Sequence, residues 1–258
     1  MAAKQGAGNP GQSTPADLRH AARRLRRMYE RLVARFGPQQ WWPAKTAFEV
    51  VIGATLTQNT AWKSVERSIA NLDARGVLSI GGLREISESE LRDLIRPSGF
   101  MVRKAAALKA FVGFLDAHCS GRMEALRAAA MDDPHAVRDQ LQALPGVGPE
   151  TADAILLYAL GAPAMVVDEY LRRISVRHGL LRGNAKYPEI QALAEQAFVA
   201  EQRSERPQEL ARHYNEFHAL VVQIGKTHCR RTPRCDGCPL VFDLKRGPLE
   251  KAAHKMKR

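Results

Sequence analysis

The sequence predicts an all-α fold with two helical lobes and a cleft between them. Three observations support this class. Apolar residues recur at helical spacing along nearly the whole chain of 258 residues, strand-like alternation is absent, and breaks containing Gly or Pro divide the chain into about ten short helices. Because 45% of the residues are hydrophobic, the chain can form a substantial core.

The N-terminal segment contains no apolar run and is rich in Gly, Pro and Ser, so residues 1–16 are predicted to form a flexible leader and not a secretory signal. A helix is predicted next, with Leu25, Met28 and Leu32 on its apolar face, and it ends at Gly37 and Pro38.

Polar residues at helix starts divide the middle of the chain. Thr46, Ser87 or Ser89, and Asp132 or Asp133 each precede an apolar helical pattern and are candidate N-caps. Further helices are predicted to begin at residues 61, 103, 122, 150, 168, 187 and 207, and the basic tail from residue 249 onward is predicted to be solvated.

Charge indicates a polyanionic partner. Lys and Arg total 39 against 27 Asp and Glu, which gives a formal net charge of +12 and a sequence pI near 9.9. Nucleic acid is the usual partner of such a protein, although a merely basic surface is the alternative. No stretch is long and apolar enough to predict a membrane span.

The segment LPGVGPETA, residues 144–152, joins two helical patterns by a tight turn. Gly146 and Gly148 flank Val147, so backbone amides at the start of the next helix are open to an anion. This is a helix-hairpin-helix pattern, which grips a DNA backbone without base preference. An ordinary turn between two helices, with Gly as a C-cap, is the alternative.

An aspartate follows this hairpin at a distance of twenty residues. Asp168 comes after three apolar residues in MVVDEYLRR and begins a helix. It is a typical N-cap, but a carboxylate held at a helix N-terminus also stays ionised and can be catalytic.

The hairpin and this aspartate together resemble the endonuclease III superfamily of DNA glycosylases, from about Phe48 to Cys238. The resemblance implies a DNA repair enzyme in which Asp168 drives base removal. Members that also cleave the strand place a lysine directly before the threonine of the hairpin. Here Glu150 precedes Thr151, and a carboxylate cannot form a Schiff base, so a monofunctional glycosylase is predicted.

The resemblance also implies two lobes with defined boundaries. Residues 46–163 are predicted to form a six-helix lobe that ends in the helix-hairpin-helix. Residues 17–45 together with 164–258 are predicted to form the second lobe, which carries a cysteine loop at 229–244.

All three tryptophans lie within 22 residues. Core packing accounts for most tryptophans, but the adjacent Trp41 and Trp42 cannot both face one core on a helix. WWP, followed by LTQNT and Trp62, is similar to the 3-methyladenine glycosylase branch. That similarity implies that Trp41 or Trp42, with Trp62, sandwiches a flipped base, which gains a cation–π term if it is alkylated.

The same similarity assigns further contacts. Lys226 would reach the base pocket, although a lysine suits a phosphate better than a cationic base. Gln58, with Asn59, would fill the gap that the flipped base leaves in the DNA, and the alternative for Gln58 is an ordinary helix-end amide.

Three cysteines near the C-terminus, Cys229, Cys235 and Cys238, have the spacing C-x5-C-x2-C. In the superfamily a four-cysteine loop often holds a [4Fe–4S] cluster, but here the fourth cysteine is missing. Asp243, His228 or a non-protein ligand could complete the site, zinc could replace the cluster, or the loop could be empty. The remaining cysteine, Cys119, is predicted to be a plain helix-end residue.

The function predicted from these features is that of a monofunctional DNA glycosylase. It would flip and excise an alkylated purine such as 3-methyladenine from double-stranded DNA, as a cytoplasmic monomer associated with the nucleoid. Basic residues of the cysteine loop, Arg230, Arg231, Arg234 and Lys245, would contact DNA. The alternatives are a bifunctional glycosylase/lyase acting on oxidised pyrimidines and a non-catalytic helix-hairpin-helix DNA-binding protein.

Overall fold

A computed structural model of the chain describes residues 15–39, 41–42 and 44–244. In these ranges the regular elements are all helical, which confirms the predicted class. The α-helices are α1 Pro15–Phe36, α2 Ala47–Thr57, α3 Trp62–Ala74, α4 Ile80–Glu85, α5 Glu88–Leu94, α6 Met101–Cys119, α7 Met123–Asp132, α8 Pro134–Gln142, α9 Pro149–Ala154, α10 Glu169–Arg177, α11 Tyr187–Ala197, α12 Val199–Ser204, α13 Pro207–Thr227 and α14 Val241–Leu244.

Two shorter segments have different winding. A 3-10 turn, Arg96–Ser98, connects α5 to α6, and a π-helical segment, Ile155–Leu160, continues α9 without a break. Neither was predicted, because hydrophobic periodicity does not resolve a single turn of altered winding. The short helices α4 and α12 escaped prediction for the same reason, since six residues are too few to show a period.

The predicted leader and tail lie largely outside the described residues, and so does Lys245. The boundary of the leader was wrong by two residues, because α1 begins at Pro15. Proline suits the first turn of a helix, where its missing N–H has no partner to lose, and Asp17 adds a favourable acid there.

Three of the predicted helix caps are formed as expected. The side-chain oxygens of Thr46, Ser87 and Asp133 accept backbone N–H groups from the first turns of α2, α5 and α8. Of the paired candidates, Ser87 and Asp133 are therefore the caps. Each satisfies a backbone donor that would otherwise lack a partner at the helix start.

The helices form two groups. In one, α1 packs on α11 and α13, and α13 packs on α10. In the other, α2 packs against α3 and α6, and α6 against α4, α5 and α7. The π-helical segment contacts both groups, since it packs on α2 and α7 and also on α13. In the described ranges, none of the helices has both the length and the apolar character that crossing a membrane requires.

A buried carboxylate ties the hairpin helices to the group that contains α11. Asp153 of α9 is completely buried, and its two oxygens accept hydrogen bonds from Arg138 of α8 at 2.5 and 2.9 Å. Two residues of α11 also donate to it, Tyr187 through its hydroxyl at 2.6 Å and Gln191 through Nε2 at 2.9 Å.

The same two residues of α11 hold the chain segment that leads into Asp168. The hydroxyl oxygen of Tyr187 accepts the N–H of Val167 at 3.2 Å, and Nε2 of Gln191 donates to the carbonyl of Met165 at 2.9 Å. Asp153 is thus linked through two side chains to the backbone immediately before Asp168.

We expect Asp153→Ala to reduce the free energy of unfolding by about 2–4 kcal/mol, because it leaves Arg138 and two other donors without their shared acceptor. Urea unfolding followed by circular dichroism measures this loss. Asp139→Asn, an exposed carboxylate on α8, is the matched control and should change little. Equal unfolding midpoints for the two variants would contradict the role given to Asp153.

Candidate active site

Asp168 occupies the N-cap of α10. Its Oδ1 accepts the N–H of Leu171 at 2.7 Å, and the side chain is 9% exposed. The preceding residues Val166 and Val167 are buried, and their packing in the core holds the segment before Asp168 in place. The predicted cap is therefore formed, and one carboxylate oxygen faces the positive end of a helix.

Glu150 lies close enough to Asp168 for the two carboxylates to interact. Desolvation by the surrounding protein and the negative charge of Asp168 raise the pKa of Glu150 to about 7, while His218 opposes the shift. The side chain is nevertheless accessible to solvent, so it lies at the open side of the cleft and not in the core. Glu150, the residue before Thr151, thus interacts with a carboxylate that lies eighteen residues later in the chain.

The hairpin turn requires glycine at one position. Gly146 has φ +79°, and a Cβ atom there would lie 3.3 Å from Cβ of Ala107. Gly148 caps α9, and no atom lies within 4 Å of the place where its Cβ would be, so the approach to this turn is open. The helix begins at Pro149, one residue earlier than the predicted start at Glu150.

Two of the predicted DNA-contacting residues have buried side chains. Val147 is 7% exposed and Thr151 is 6% exposed, since both pack into the core beneath the turn. A contact of Val147 and Thr151 with DNA would therefore be made by their backbone groups, and it stays a prediction. An apolar residue between two glycines anchors the turn to the core.

Gln58 is bound to the hairpin in this structure. Its Nε2 donates to the carbonyl of Gly146 and to Oγ1 of Thr151, each at 2.9 Å. The next residue, Asn59, is exposed and has a left-handed backbone with φ 50°. The amide predicted to enter DNA therefore braces the turn, and the loop that carries it borders the hairpin.

Two residues beside this loop were not identified from the sequence. Lys104 is buried, and its Nζ donates to the carbonyls of Leu56 and Ser98 and to Oγ1 of Thr60, at 2.7–2.8 Å. Phe100 is 61% exposed and has φ 47°, a conformation that is unfavourable for a bulky residue. An exposed, strained aromatic residue is typical of a contact surface.

The tryptophans form one aromatic cluster. Trp41 and Trp42 stack with ring centroids 5.4 Å apart, and Trp42 meets Trp62 edge-on at 5.3 Å. Gly53 leaves room for this arrangement, since a Cβ there would lie 3.3 Å from the ring of Trp42. A base between two rings needs two stacking distances of about 3.4 Å each. Trp42 and Trp62 therefore have to separate before they can hold a base.

A cavity of about 340 Å³ lies beside this cluster. It is lined by Trp41, Trp42, Ala44, Lys45, Thr46, Ala47, Val50, Tyr158 and Asn215. Trp62 lines a separate groove, and Lys226 is exposed at the end of α13 without lining the cavity. The predicted approach of Lys226 to the base stays a prediction.

Two further residues connect the aromatic cluster to Asp168. His218 is 6% exposed, and its Nδ1 lies 2.5 Å from the hydroxyl of Tyr158. Its Nε2 lies 3.6 Å from Oδ2 of Asp168, and its ring lies 5.5 Å from that of Trp41. A polar residue within the apolar run FHALVV was the only signal in the sequence, and this pattern usually indicates a core histidine.

The cysteine loop is held by two arginines, Arg177 at its start and Arg24 at its end. Arg177 donates to Sγ of Cys229 at 3.2 Å and to the carbonyls of Arg230 and Arg231. Cys119 lies elsewhere, at the C-terminal end of α6, as predicted.

Asp243 has no free oxygen for a metal. It is 2% exposed, and Arg24 donates to both of its oxygens, at 3.0 and 2.6 Å. His178 contacts the second oxygen through Nδ1 at 3.1 Å. Burial alone would raise the pKa of Asp243, but hydrogen bonds from Arg24 and His178 outweigh it and hold the pKa below its ordinary value.

These contacts do not fit a cluster with four protein ligands. The three cysteines have no fourth thiolate, the carboxylate at that position is used by Arg24 and His178, and Cys229 is hydrogen-bonded to Arg177. Within the described residues, no three His, Cys, Asp or Glu side chains are grouped so that they could hold a metal ion. The proposal that Asp243 completes the site is corrected, because that residue is an ion-pair partner.

The hairpin, the capped aspartate and the aromatic cluster are thus connected to one another through Glu150 and His218. Residues 52–200 match the family model described as "HhH-GPD superfamily base excision DNA repair protein". The chain belongs to the HhH-GPD superfamily. It is a DNA repair glycosylase of the endonuclease III type, and the family match covers both the hairpin and Asp168.

Known members of the HhH-GPD superfamily resemble the chain over most of its length. "Putative DNA repair glycosylase MJ1434" of Methanocaldococcus jannaschii is 41% identical over 214 residues, which cover 83% of this chain and 92% of that protein. The structure of H. pylori 3-methyladenine DNA glycosylase (MagIII) bound to 1,N6-ethenoadenine has a TM-score of 0.67 and 28% identity. It covers 80% of this chain and 97% of that one.

A non-covalent endonuclease III–DNA complex has a TM-score of 0.68 and 22% identity, and covers 92% of this chain and 99% of that one. This likeness shows the fold.

We expect Asp243→Asn to lower the free energy of unfolding by about 2–4 kcal/mol, since it leaves the Arg24 guanidinium buried beside a neutral group. Urea unfolding at pH 7 measures the effect. Asp236→Asn, an exposed carboxylate in the same loop, is the control. If both variants unfold at the wild-type urea concentration, the Arg24–Asp243 pair does not stabilise the C-terminal segment.

Proposed function

We propose that this glycosylase is monofunctional, and that it flips an alkylated purine, such as 3-methyladenine, out of double-stranded DNA and hydrolyses its N-glycosidic bond. The observation that supports this most directly is the fixed carboxylate of Asp168, which caps α10 and lies beside His218 between the hairpin residue Glu150 and the aromatic cluster. We further propose that the enzyme acts as a monomer.

Asp168 supplies the charge that the reaction needs. An alkylated purine carries a positive ring charge that already weakens the glycosidic bond, and the transition state resembles an oxocarbenium ion at C1′. With Oδ1 fixed by the N–H of Leu171, the orientation of the carboxylate is set before substrate binds, so it stabilises the developing cation without reorganisation. The base departs neutral, so a strong general acid is not required.

Glu150 supports hydrolysis over lyase chemistry. It stands where the lyase members have lysine, and a carboxylate cannot form a Schiff base with the sugar. Burial lowers the pKa of Lys104 to about 8, but all three of its N–H donors are taken by Leu56, Thr60 and Ser98. Lys104 is therefore not available as a nucleophile.

Aromatic faces and negative charge close to one another support the proposed substrate class. Trp41, Trp42 and Tyr158 border a cavity next to the site, and a cationic base gains from stacking on such rings. Asp168 and Glu150 add a negative potential that also favours a cationic base. The 3-methyladenine glycosylase of H. pylori, which is 28% identical, supports the same choice.

DNA is gripped, in this proposal, by the backbone amides around Gly148 and by basic side chains of the cysteine loop and Lys226, all against phosphate. Two neighbouring loops would face the same DNA strand, one with Gln58 and Asn59 after α2 and one with Phe100 before α6. These side chains would fill the space left by the flipped nucleotide. The side-chain amide of Gln58 must leave Gly146 and Thr151 to do so.

We expect Asp168→Asn to reduce the single-turnover rate of base release from methylated duplex DNA by at least about 100-fold. Asparagine keeps the helix cap, so the fold and the dissociation constant for DNA should be unchanged. Released bases are identified by chromatography, and binding is measured by fluorescence anisotropy. Wild-type activity in this variant would refute the assignment of Asp168.

The wild-type enzyme should leave abasic sites uncut until alkali is added. Release of oxidised pyrimidines, with a protein–DNA adduct trapped by borohydride, would instead establish the bifunctional alternative. DNA binding without base release from any damaged substrate would establish the non-catalytic alternative.

We expect the single-turnover rate to rise with pH through about 7. Glu150, whose pKa is about 7, is neutral below that value and negative above it, and the added charge stabilises the cationic transition state. Rates measured at saturating DNA between pH 5.5 and 8.5 show the inflection.

Glu150→Gln should flatten that profile, because its side chain does not ionise. Glu124→Gln, an exposed acid in the first turn of α7, is the matched control and should keep the wild-type profile. An unchanged inflection in Glu150→Gln would assign the titration to another group.

A further inference from the structure

His218 and Asp168 face each other without a hydrogen bond. Nε2 of His218 is buried and has no hydrogen-bond partner, and it lies 3.6 Å from Oδ2 of Asp168, the oxygen that the helix cap leaves unused. This distance is too long for a hydrogen bond. A buried polar atom without a partner is costly, so such an arrangement in a cleft calls for an explanation.

The charge of the carboxylate determines which imidazole nitrogen carries the proton. If Nε2 lacked a hydrogen, its lone pair would point at a negative oxygen, which is unfavourable at 3.6 Å. The neutral imidazole therefore carries hydrogen on Nε2 and a lone pair on Nδ1. The hydroxyl of Tyr158, 2.5 Å from Nδ1, then donates to that lone pair.

Tyr158 keeps this proton. Desolvation, and next the negative charge of Asp168, raise the pKa of its hydroxyl well above the ordinary value. Tyr158 lies within the π-helical segment, and its ring contacts both Trp41 and Trp42. Tyr158 therefore links the aromatic cluster to His218, and His218 links it to Asp168.

We propose that His218 is a positioning residue for base excision: its Nε2–H, with the tautomer fixed by Tyr158, orients Oδ2 of Asp168 toward C1′ when DNA is bound. This role rests on the proposed glycosylase function of the same site. In this tautomer the imidazole carries no net charge, so it would orient the carboxylate without cancelling the negative charge that the oxocarbenium ion requires. The ring of Trp41 lies 5.5 Å from the imidazole, so the aromatic cluster borders the contact between His218 and Asp168.

Two substitutions separate this role from simple packing. His218→Gln places an amide N–H near the position of Nε2 and keeps the donor to Asp168. His218→Asn keeps a polar contact with Tyr158 but is too short to reach Asp168. His213→Gln, on the same helix and paired with Glu205, is the control for a His-to-Gln change in α13.

Single-turnover release from methylated duplex DNA, the dissociation constant for DNA and the melting temperature are measured for each variant. We expect His218→Asn to lose roughly 10- to 100-fold in rate with unchanged DNA binding, as when other orienting side chains are removed. His218→Gln should keep most of the rate at a similar melting temperature. A role in packing alone predicts equal rates for the two variants, and that result would overturn the proposal.

A second measurement does not depend on activity. ¹⁵N NMR of histidine-labelled protein distinguishes the Nε2–H tautomer of His218 from the seven other histidines, with His218→Gln providing the assignment. We expect the neutral Nε2–H form, perturbed by Tyr158→Phe and by Asp168→Asn. The Nδ1–H tautomer would overturn the positioning role even in an active enzyme. If wild-type protein releases no base from methylated or oxidised DNA, the proposed function fails, whereas the NMR result still decides the tautomer.

Discussion

The Asp153 carboxylate is the interaction on which the geometry of the cleft depends. The hairpin helices α8 and α9 belong to one group of helices, and Asp168 is followed by α10, which belongs to the other. Asp153 accepts hydrogen bonds from α8 and from α11, and the residues of α11 in turn hold the backbone just before Asp168. Because every donor in this network is satisfied, the distance from the amide turn to Asp168 is fixed by buried polar contacts and not by a flexible connection.

Negative charge is concentrated at one place in a strongly basic protein. The formal charge of +12 attracts the DNA backbone over long range, whereas Asp168 and Glu150 stand together in the cleft. The mutual repulsion of these carboxylates contributes to the raised pKa of Glu150, so their arrangement costs stability near neutral pH. Such a local cost is common where a protein must stabilise a positive charge in a reacting molecule.

Features that depend on contiguous residues could be predicted from the sequence, and those that depend on tertiary contacts could not. Thr46, Ser87, Asp133 and Asp168 are caps because a short oxygen-bearing side chain precedes an apolar helical pattern, which is local information. The link from Asp168 to His218 joins residues fifty positions apart, and the Arg24–Asp243 pair joins residues 219 positions apart. The periodicity of α13 does not distinguish a histidine that contacts a carboxylate, such as His218, from a histidine that only packs in the core. The tryptophans illustrate the same limit, since their proximity was predictable but their contact with one another depends on the space that Gly53 leaves.

The π-helical segment has a consequence for how this chain can vary. Each residue added to or removed from a helix rotates everything after it by about 100°. The segment Ile155–Leu160, between the hairpin and Asp168, is wound as a π-helix. In this conformation the ring of Tyr158 contacts the tryptophans, while its neighbours Leu157 and Ala159 are buried. Loss of one residue there would restore ordinary winding and swing Tyr158 out of line with His218. The count of residues from Gly148 to Asp168 is therefore set by the phase of a helix, and insertions or deletions in this stretch should be far less tolerated than substitutions.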